Sequence, residues 1–322
     1  MRIEFDPDED IANHSKHNGN LGRQSRVSRT SGIHEAQSPG RNRPPRGFSP
    51  SRSCTKDNEM AVAVNDCLVE VAGGQVFVRH WQPDGATHAP IVLLHDSLGS
   101  VEQWRSFPAT LAARTGRPVL AYDRLGFGQS SSRTTPADRG FIDDEARLHW
   151  PAIADALGLC EYVLFGHSVG GGMALVAASV AENRCVAVIT ESAQAFVEER
   201  TLCGIRQAMQ SFADHRQFSR IVRWHGQSAR WVLDAWTEVW LSPEFRAWSL
   251  DPYLAQVHCP VLAIHGDSDE FGSAAFPRRI AEGVSGPARM EMLDACGHTP
   301  HREREDEVLS LVSSFLAENA VP

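Results

Sequence analysis

The sequence predicts an α/β fold, a mostly parallel central sheet flanked by helices and carrying a helical cap. Three observations predict it. Short, continuously apolar runs such as Ile91-Val92-Leu93-Leu94 and Val261-Leu262-Ala263-Ile264 recur along the chain, as parallel strands covered on both faces require. Helical segments alternate with them, which implies right-handed crossovers. Over residues 195–250 the alternation stops. A tryptophan-rich stretch of helical pattern stands there, read as a cap over the carboxyl edge of the sheet. The expected organisation is an extension over 1–59, a core over 60–194 and 251–322, and the cap over 195–250.

Residues 1–59 are rich in Ser, Arg, Gly, Pro, Asn and His and lack aliphatic periodicity. Such a segment cannot bury enough apolar surface to offset its ordering entropy, so it reads as disordered. The composition changes at Met60, which reads as the natural start, with a basic regulatory tail as the competing idea. From Cys67, Leu68 to Val71 and Gln75 to Trp81 flank Gly73-Gly74 and read as a hairpin. The strand Ile91–Leu94 runs into His95-Asp96-Ser97-Leu98-Gly99-Ser100. A helix is expected from about Glu102 to Arg114, stopped by Gly116 and Pro118. The next strand, Pro118–Tyr122, leads into Asp123-Arg124-Leu125-Gly126-Phe127-Gly128-Gln129-Ser130. An amphipathic helix is expected over Asp143–Leu157, and further strands over Cys185–Thr190, Val261–Ile264 and Ala288–Leu293.

Composition narrows the possible functions. The net charge of −9 argues against a nucleic-acid partner. No apolar run approaches the ~20 residues of a membrane span, and the acidic N-terminus shows no secretory signal. Seven cysteines, an odd number without metal-ligand spacing, suit a reducing compartment, so a cytoplasmic location is expected. Both lysines, Lys16 and Lys56, lie in the extension, which leaves the core without a Schiff-base lysine. No phosphate-loop or dinucleotide fingerprint is present. No cofactor and no metal are expected, and the partner should be a small-molecule substrate.

The chemistry centres on Glu161 to Ala174. A short apolar run, Tyr162 to Phe165, turns on Gly166-His167-Ser168-Val169-Gly170 and continues as a small-residue helix. Strand, G-x-S-x-G, helix is the pattern of a nucleophile elbow. The sharp turn strains Ser168 and lifts its hydroxyl off the sheet end. Side chains at 166 and 170 would collide with the crossing backbone. A serine hydroxyl needs a base, and the base an orienting carboxylate. The strand ends that follow offer Asp267, Asp269 and His298.

With His95-Asp96-x-x-Gly99, Asp123-x-x-Gly126-x-Gly128-x-Ser130, Gly166-x-Ser168-x-Gly170, Gly266-x-x-Asp269 and Gly297-His298 in this order, residues 60–322 resemble an α/β-hydrolase of the small, capped, bacterial serine-hydrolase type. The resemblance implies Ser168 as nucleophile, His298 as general base and acid, and Asp269 as the orienting acid, with Asp267 the runner-up. It implies an oxyanion hole from the N–H groups of Val169 and Ser97. Asp96 stands where the family often has glycine. His95 and His167 read as structural, His301 as a surface residue, and Cys296 as a small core residue. A serine nucleophile disfavours dehalogenation and epoxide opening.

The expected function is serine hydrolysis of small apolar substrates, foremost a carboxylic ester, through an acyl-enzyme. Two rivals stand beside it: carbon–carbon hydrolysis of diketone-type ring-cleavage products, and a slow-turnover ligand-binding sensor. The cap tryptophans Trp224, Trp231, Trp236, Trp240 and Trp248 argue for an apolar pocket or for the cap's own core. Arg220 and Arg223, on one helical face, argue for the acidic ring-cleavage substrates.

Overall fold

The computed structural model describes residues 61–322. The readings of 1–59 as an extension and of Met60 as the start fall outside the described residues. Eight strands form one sheet: β1 Val62–Val71, β2 Gly74–Pro83, β3 Ile91–Leu94, β4 Val119–Tyr122, β5 Tyr162–His167, β6 Cys185–Glu191, β7 Val261–Gly266 and β8 Ala288–Leu293. Their spatial order is β1-β2-β4-β3-β5-β6-β7-β8. β1 and β2 form the expected hairpin, β2 is antiparallel to β4, and every pair beyond β4 is parallel.

The uniform apolarity of the short strands has a direct cause. Ile91 and Leu93 of β3 pack on one side with Phe107, Leu111, Val308 and Phe315; Val92 and Leu94 pack on the other with Trp150, Ile153 and Met173. Both faces are covered, so neither has a place for a polar side chain. Full burial of each such aliphatic side chain contributes about 1.5–3 kcal/mol. Helix α1 (Phe107–Thr115) and α11 (Glu305–Glu318) cover the first side; α4 (Val169–Val180) and the helical stretch 141–156 cover the second.

Two helices differ from expectation. The Glu102–Arg114 helix is a 3₁₀ turn, Val101–Trp104, followed by α1, and Arg105 with φ 53° separates them. Pro108 sits in the first turn of α1, where its missing N–H costs nothing. The Asp143–Leu157 helix begins earlier and is interrupted. α2 (Phe141–Asp144) passes through a π-helical turn, Glu145–His149, into α3 (Trp150–Ala156). Pro151 supplies a reason: without an N–H it cannot bond the carbonyl four residues back, and the turn before it widens.

Between β6 and β7 the chain is helical: α5 Glu199–Ser211, α6 His215–His225, α7 Ala229–Trp240 and the short α8 Asp251–Leu254. Asp214 caps α6, accepting from the N–H groups of Arg216 and Gln217. His225, at the end of α6, is tied at both ring nitrogens to loops at the carboxyl edge of the sheet. Nδ1 accepts from Gly128 N at 2.9 Å and Nε2 donates to Leu98 O at 2.9 Å. After β7 come α9 (Ala275–Gly283) and, beyond β8, α10 (Pro300–Glu303) and α11. Among the described residues no helix is long and apolar enough to cross a membrane.

Candidate active site

β5 delivers Ser168 to the carboxyl edge, and α4 starts one residue later. Ser168 has φ 55° and ψ −124°, a conformation costly for any residue with a Cβ. Its N–H donates to Glu191 O at 2.8 Å and its carbonyl accepts from Gly171 N at 2.9 Å, which holds the strain in place. The flanking glycines are required sterically. A Cβ on Gly166 would lie 2.1 Å from Gly170 O, and one on Gly170 would lie 2.2 Å from Leu94 O.

The loop after β8 brings His298 to the serine, with Nε2 3.0 Å from Ser168 Oγ. His298 Nδ1 donates to Asp269, 2.9 Å from each carboxylate oxygen. Asp269 follows β7, is fully buried, and also accepts from Phe271 N at 2.7 Å. His265 Nε2 lies 3.2 Å from Asp269 Oδ2, but without hydrogen-bond geometry. Burial works to lower the His298 pKa. The Asp269 carboxylate outweighs it and lifts the ring to about 9. For Asp269, burial is likewise outweighed, and the facing imidazoles hold it below its ordinary value. Asp267 is exposed and bonds Ser268 Oγ instead. Cys296 is buried in the core, its thiol pushed up to about 12 by burial, which leaves it unreactive.

Residues 89–305 match the family described as the alpha/beta hydrolase fold. The chain belongs to that family. Among curated relatives it is similar to a 2-hydroxymuconate semialdehyde hydrolase of a Pseudomonas species (strain CF600), at 24% identity over 73% of this chain and 89% of the relative. It is similar to a proline iminopeptidase of Lactobacillus delbrueckii subsp. bulgaricus, at 21% identity over 72% of this chain and 91% of the relative. Among solved structures, the enol-lactonase from Burkholderia xenovorans superposes with a TM-score of 0.63 at 20% identity, over 78% of this chain and all of that one. At these identities the structural likeness shows the fold alone.

Against this α/β-hydrolase frame, the loop after β3 departs at Asp96. Its carboxylate accepts from Leu98 N at 2.9 Å and lies 3.5 Å from His167 Nδ1, so local partners occupy it. His95 holds the next loop in place, accepting from Arg124 N through Nε2 at 3.1 Å. The Asp123 motif is a knot beneath it. Asp123 accepts from Val101 N and Gln129 N, while Ser130 Oγ donates to Asp123 O and accepts from Phe77 N. Burial lifts the Asp123 pKa to about 6.

Three residues at the site escaped the sequence. Gln194, buried after β6, has Nε2 3.2 Å from Ser168 Oγ and is the second side chain, after His298, on the serine hydroxyl. Glu191, the last residue of β6, is fully buried and receives both the backbone N–H and, at 2.6 Å, the Nδ1 of His301. His301 is therefore not a surface residue. It is 3% exposed and packs against Trp104, because the loop that carries His298 folds back onto the sheet end. His167, as expected, is structural: Nε2 donates to His298 O at 2.8 Å. Among the described residues, His167, Glu191 and His301 form the single group with metal-ligand chemistry, and a cation there would have to displace these bonds.

A narrow cleft of about 40 Å³ lies against α7; Ser97 is in its wall, while Ser168 and His298 are not among its lining residues. Trp231, Trp236 and Trp240 of α7 roof it, with Phe127, Met173 and Ser97 below and the π turn at its side. Trp248 instead stacks on Phe245 with ring centroids 5.5 Å apart, and Arg223 lies over Trp224. Neither Arg220 nor Arg223 lines the cleft; Arg124 and Arg133 do.

Proposed function

We propose that the protein is a serine hydrolase of small substrates with an apolar body, foremost carboxylic esters. The hydrogen-bonded row Ser168–His298–Asp269 at a strained elbow carries this reading. Ser168 Oγ attacks the substrate carbonyl carbon and loses its proton to His298 Nε2. Asp269 fixes the ring with Nδ1–H toward itself and stabilises the imidazolium that forms. The N–H groups of Val169 and Ser97 receive the oxyanion, each worth about 3 kcal/mol in the transition state. His298 then protonates the leaving oxygen, which departs and leaves an ester on Ser168. A water, deprotonated by His298, attacks that ester, and Ser168 Oγ leaves with the returned proton. Gln194 Nε2 is placed to donate to Oγ while charge gathers on it.

The ring of tryptophans supports an apolar substrate body, since small-molecule clefts draw most of their affinity from such walls. A second reading, carbon–carbon hydrolysis of an acidic diketone, draws support from the semialdehyde-hydrolase relative and from Arg124 in the cleft. The same three residues serve it. The six cysteines among the described residues are all free thiols, in keeping with a proposed cytoplasmic setting.

The deciding experiment is covalent labelling of the purified protein with a fluorophosphonate, alongside hydrolysis of p-nitrophenyl butyrate and of a vinylogous 1,5-diketone. One label on Ser168 and ester turnover are expected, both lost in Ser168→Ala. A label elsewhere would refute the reading. Turnover of the diketone alone would move the assignment to carbon–carbon cleavage.

A further inference from the structure

Arg124 leaves β4 inside the motif that knots the loops together, yet part of its guanidinium has no oxygen partner. The residue is 4% exposed. Nη2 donates to Asp96 O at 2.7 Å and lies 3.3 Å from His95 Nδ1. Nη1 meets only the thioether sulfur of Met173, at 2.9 Å, a weak acceptor. Nε is buried with no partner at all. The flat face lies 4.5 Å from the centroid of the Phe127 ring, which fixes its tilt. Arg124 thus has two nitrogens without an oxygen acceptor, and both belong to a group that cannot shed its charge. A buried cation in this condition costs several kcal/mol unless something completes its hydrogen bonds.

The cleft is where that partner would enter. Arg124 lines it together with Ser97, Leu125, Phe127, Met173 and Trp231. Asp144 and Glu145 line the same cleft, so its charge is mixed. Glu145 is committed elsewhere: its Oε1 accepts from Tyr122 Oη at 2.7 Å, and Arg124 forms no salt bridge with it. Glu145 therefore tempers the field of the guanidinium without filling its donors. Arg133, the other cation of the cleft, lies near Trp231, with its guanidinium carbon 6.0 Å from the ring centroid.

We propose that Arg124 is a carboxylate-binding subsite in the wall of the cleft. On this proposal, which builds on the serine-hydrolase reading to set the subsite beside the reacting carbonyl, the substrate is an amphiphile. Its apolar or aromatic body lies against the cap tryptophans and its carboxylate completes Nε and Nη1. The recognition element comes from the core, beside Ser97, and not from the Arg220–Arg223 face of the cap.

The test uses the full-length protein and a readout that needs no turnover. Trp231, Trp236 and Trp240 line the cleft, so ligand entry can be followed by tryptophan fluorescence. The paired probes are 4-phenylbutanoate and its isostere 4-phenylbutanamide. The carboxylate should bind about 10- to 100-fold more tightly than the amide, the range of a hydrogen bond to a charged group. Arg124→Met should erase that preference, and Arg133→Met should keep it. Equal binding of the two probes by the wild type overturns the proposal even if Arg124→Met fails to fold. So does a preference that survives Arg124→Met or disappears in Arg133→Met. Fluorophosphonate labelling of Ser168 is scored separately. A labelled serine with no carboxylate preference sinks the subsite and leaves the serine-hydrolase reading standing; the reverse result does the opposite.

Discussion

The floor and the roof of the site are built by different rules. On the floor, the ionisable groups are locked into one another: His298 to Asp269, His301 to Glu191, and His167 to the carbonyl of His298. Each bond fixes an angle, and the floor has little freedom to adapt. The roof is made of tryptophan rings on α7, which meet Phe127, Phe271 and Trp248 edge to face and carry one hydrogen bond, from Trp231 Nε1 to Thr135 O at 2.8 Å. Rings can be exchanged for other rings, whereas a floor residue cannot be moved without breaking a chain of bonds. A floor of this kind fixes the reaction, and a roof of this kind can be retuned to a new substrate.

The largest effect should come from the floor. Ser168→Ala is expected to lower kcat for p-nitrophenyl butyrate by about 10⁴- to 10⁶-fold while the far-ultraviolet circular dichroism stays unchanged. A variant that keeps a tenth of the activity would mean that the floor is assigned to the wrong residue. Next, Asp269→Asn should cost about 10⁴-fold in kcat. Asp267→Asn, an exposed turn residue, should stay within about threefold, as a surface change does. The reverse order would exchange the two carboxylates.

Titration separates floor from roof without mutation. The His298 ring, lifted to about 9 by Asp269, must be neutral to accept the serine proton. Thus kcat/KM should rise with pH through about 9 and be roughly a hundredfold lower two units below that value. A profile flat from pH 7 to 10 would show that Asp269 does not lift the His298 ring to this value. Glu191→Ala should then act through stability. It leaves the His301 N–H and ring without their partner in a buried site, a loss of about 3–5 kcal/mol readable in urea unfolding. The smallest effect belongs to the roof. Trp236→Ala should raise KM for an aryl ester about tenfold and change kcat little, as loss of uniform binding does. An equal fall in kcat would show that the roof also positions the reaction.

The same contrast explains what could be read from the sequence. The elbow, Asp269 and His298 were legible because each lies at a strand end within a short motif whose spacing reflects local geometry. The strands were legible because burial on both faces leaves an apolar run. His301 was misread because its partner, Glu191, is 110 residues away in the chain, and no local pattern reports such a pair. A buried acid closing a strand is the available signal, and the expected strand Cys185–Thr190 stops one residue short of it. Gln194 gave no signal at all, since its role depends on how the chain leaves β6. Arg124 stands within a motif, but the direction of its guanidinium is decided by Asp96 and Met173, from two other elements. The paired arginines of α6 had the better helical pattern and lie away from the cleft.

The Asp123 knot has a consequence beyond its own loop. One carboxylate joins Val101, at the far end of the Ser97 loop, to Gln129, beyond the glycine turn. A Cβ on Gly128 would lie 2.1 Å from one of its oxygens. The same turn is held by His225, which in turn holds Leu98. The Ser97 loop, the glycine turn and α6 are therefore joined in a closed circuit with two pins, Asp123 and His225. A displacement of the turn is therefore shared by the Ser97 loop and by α6, so the position of one cannot change without strain on the other two.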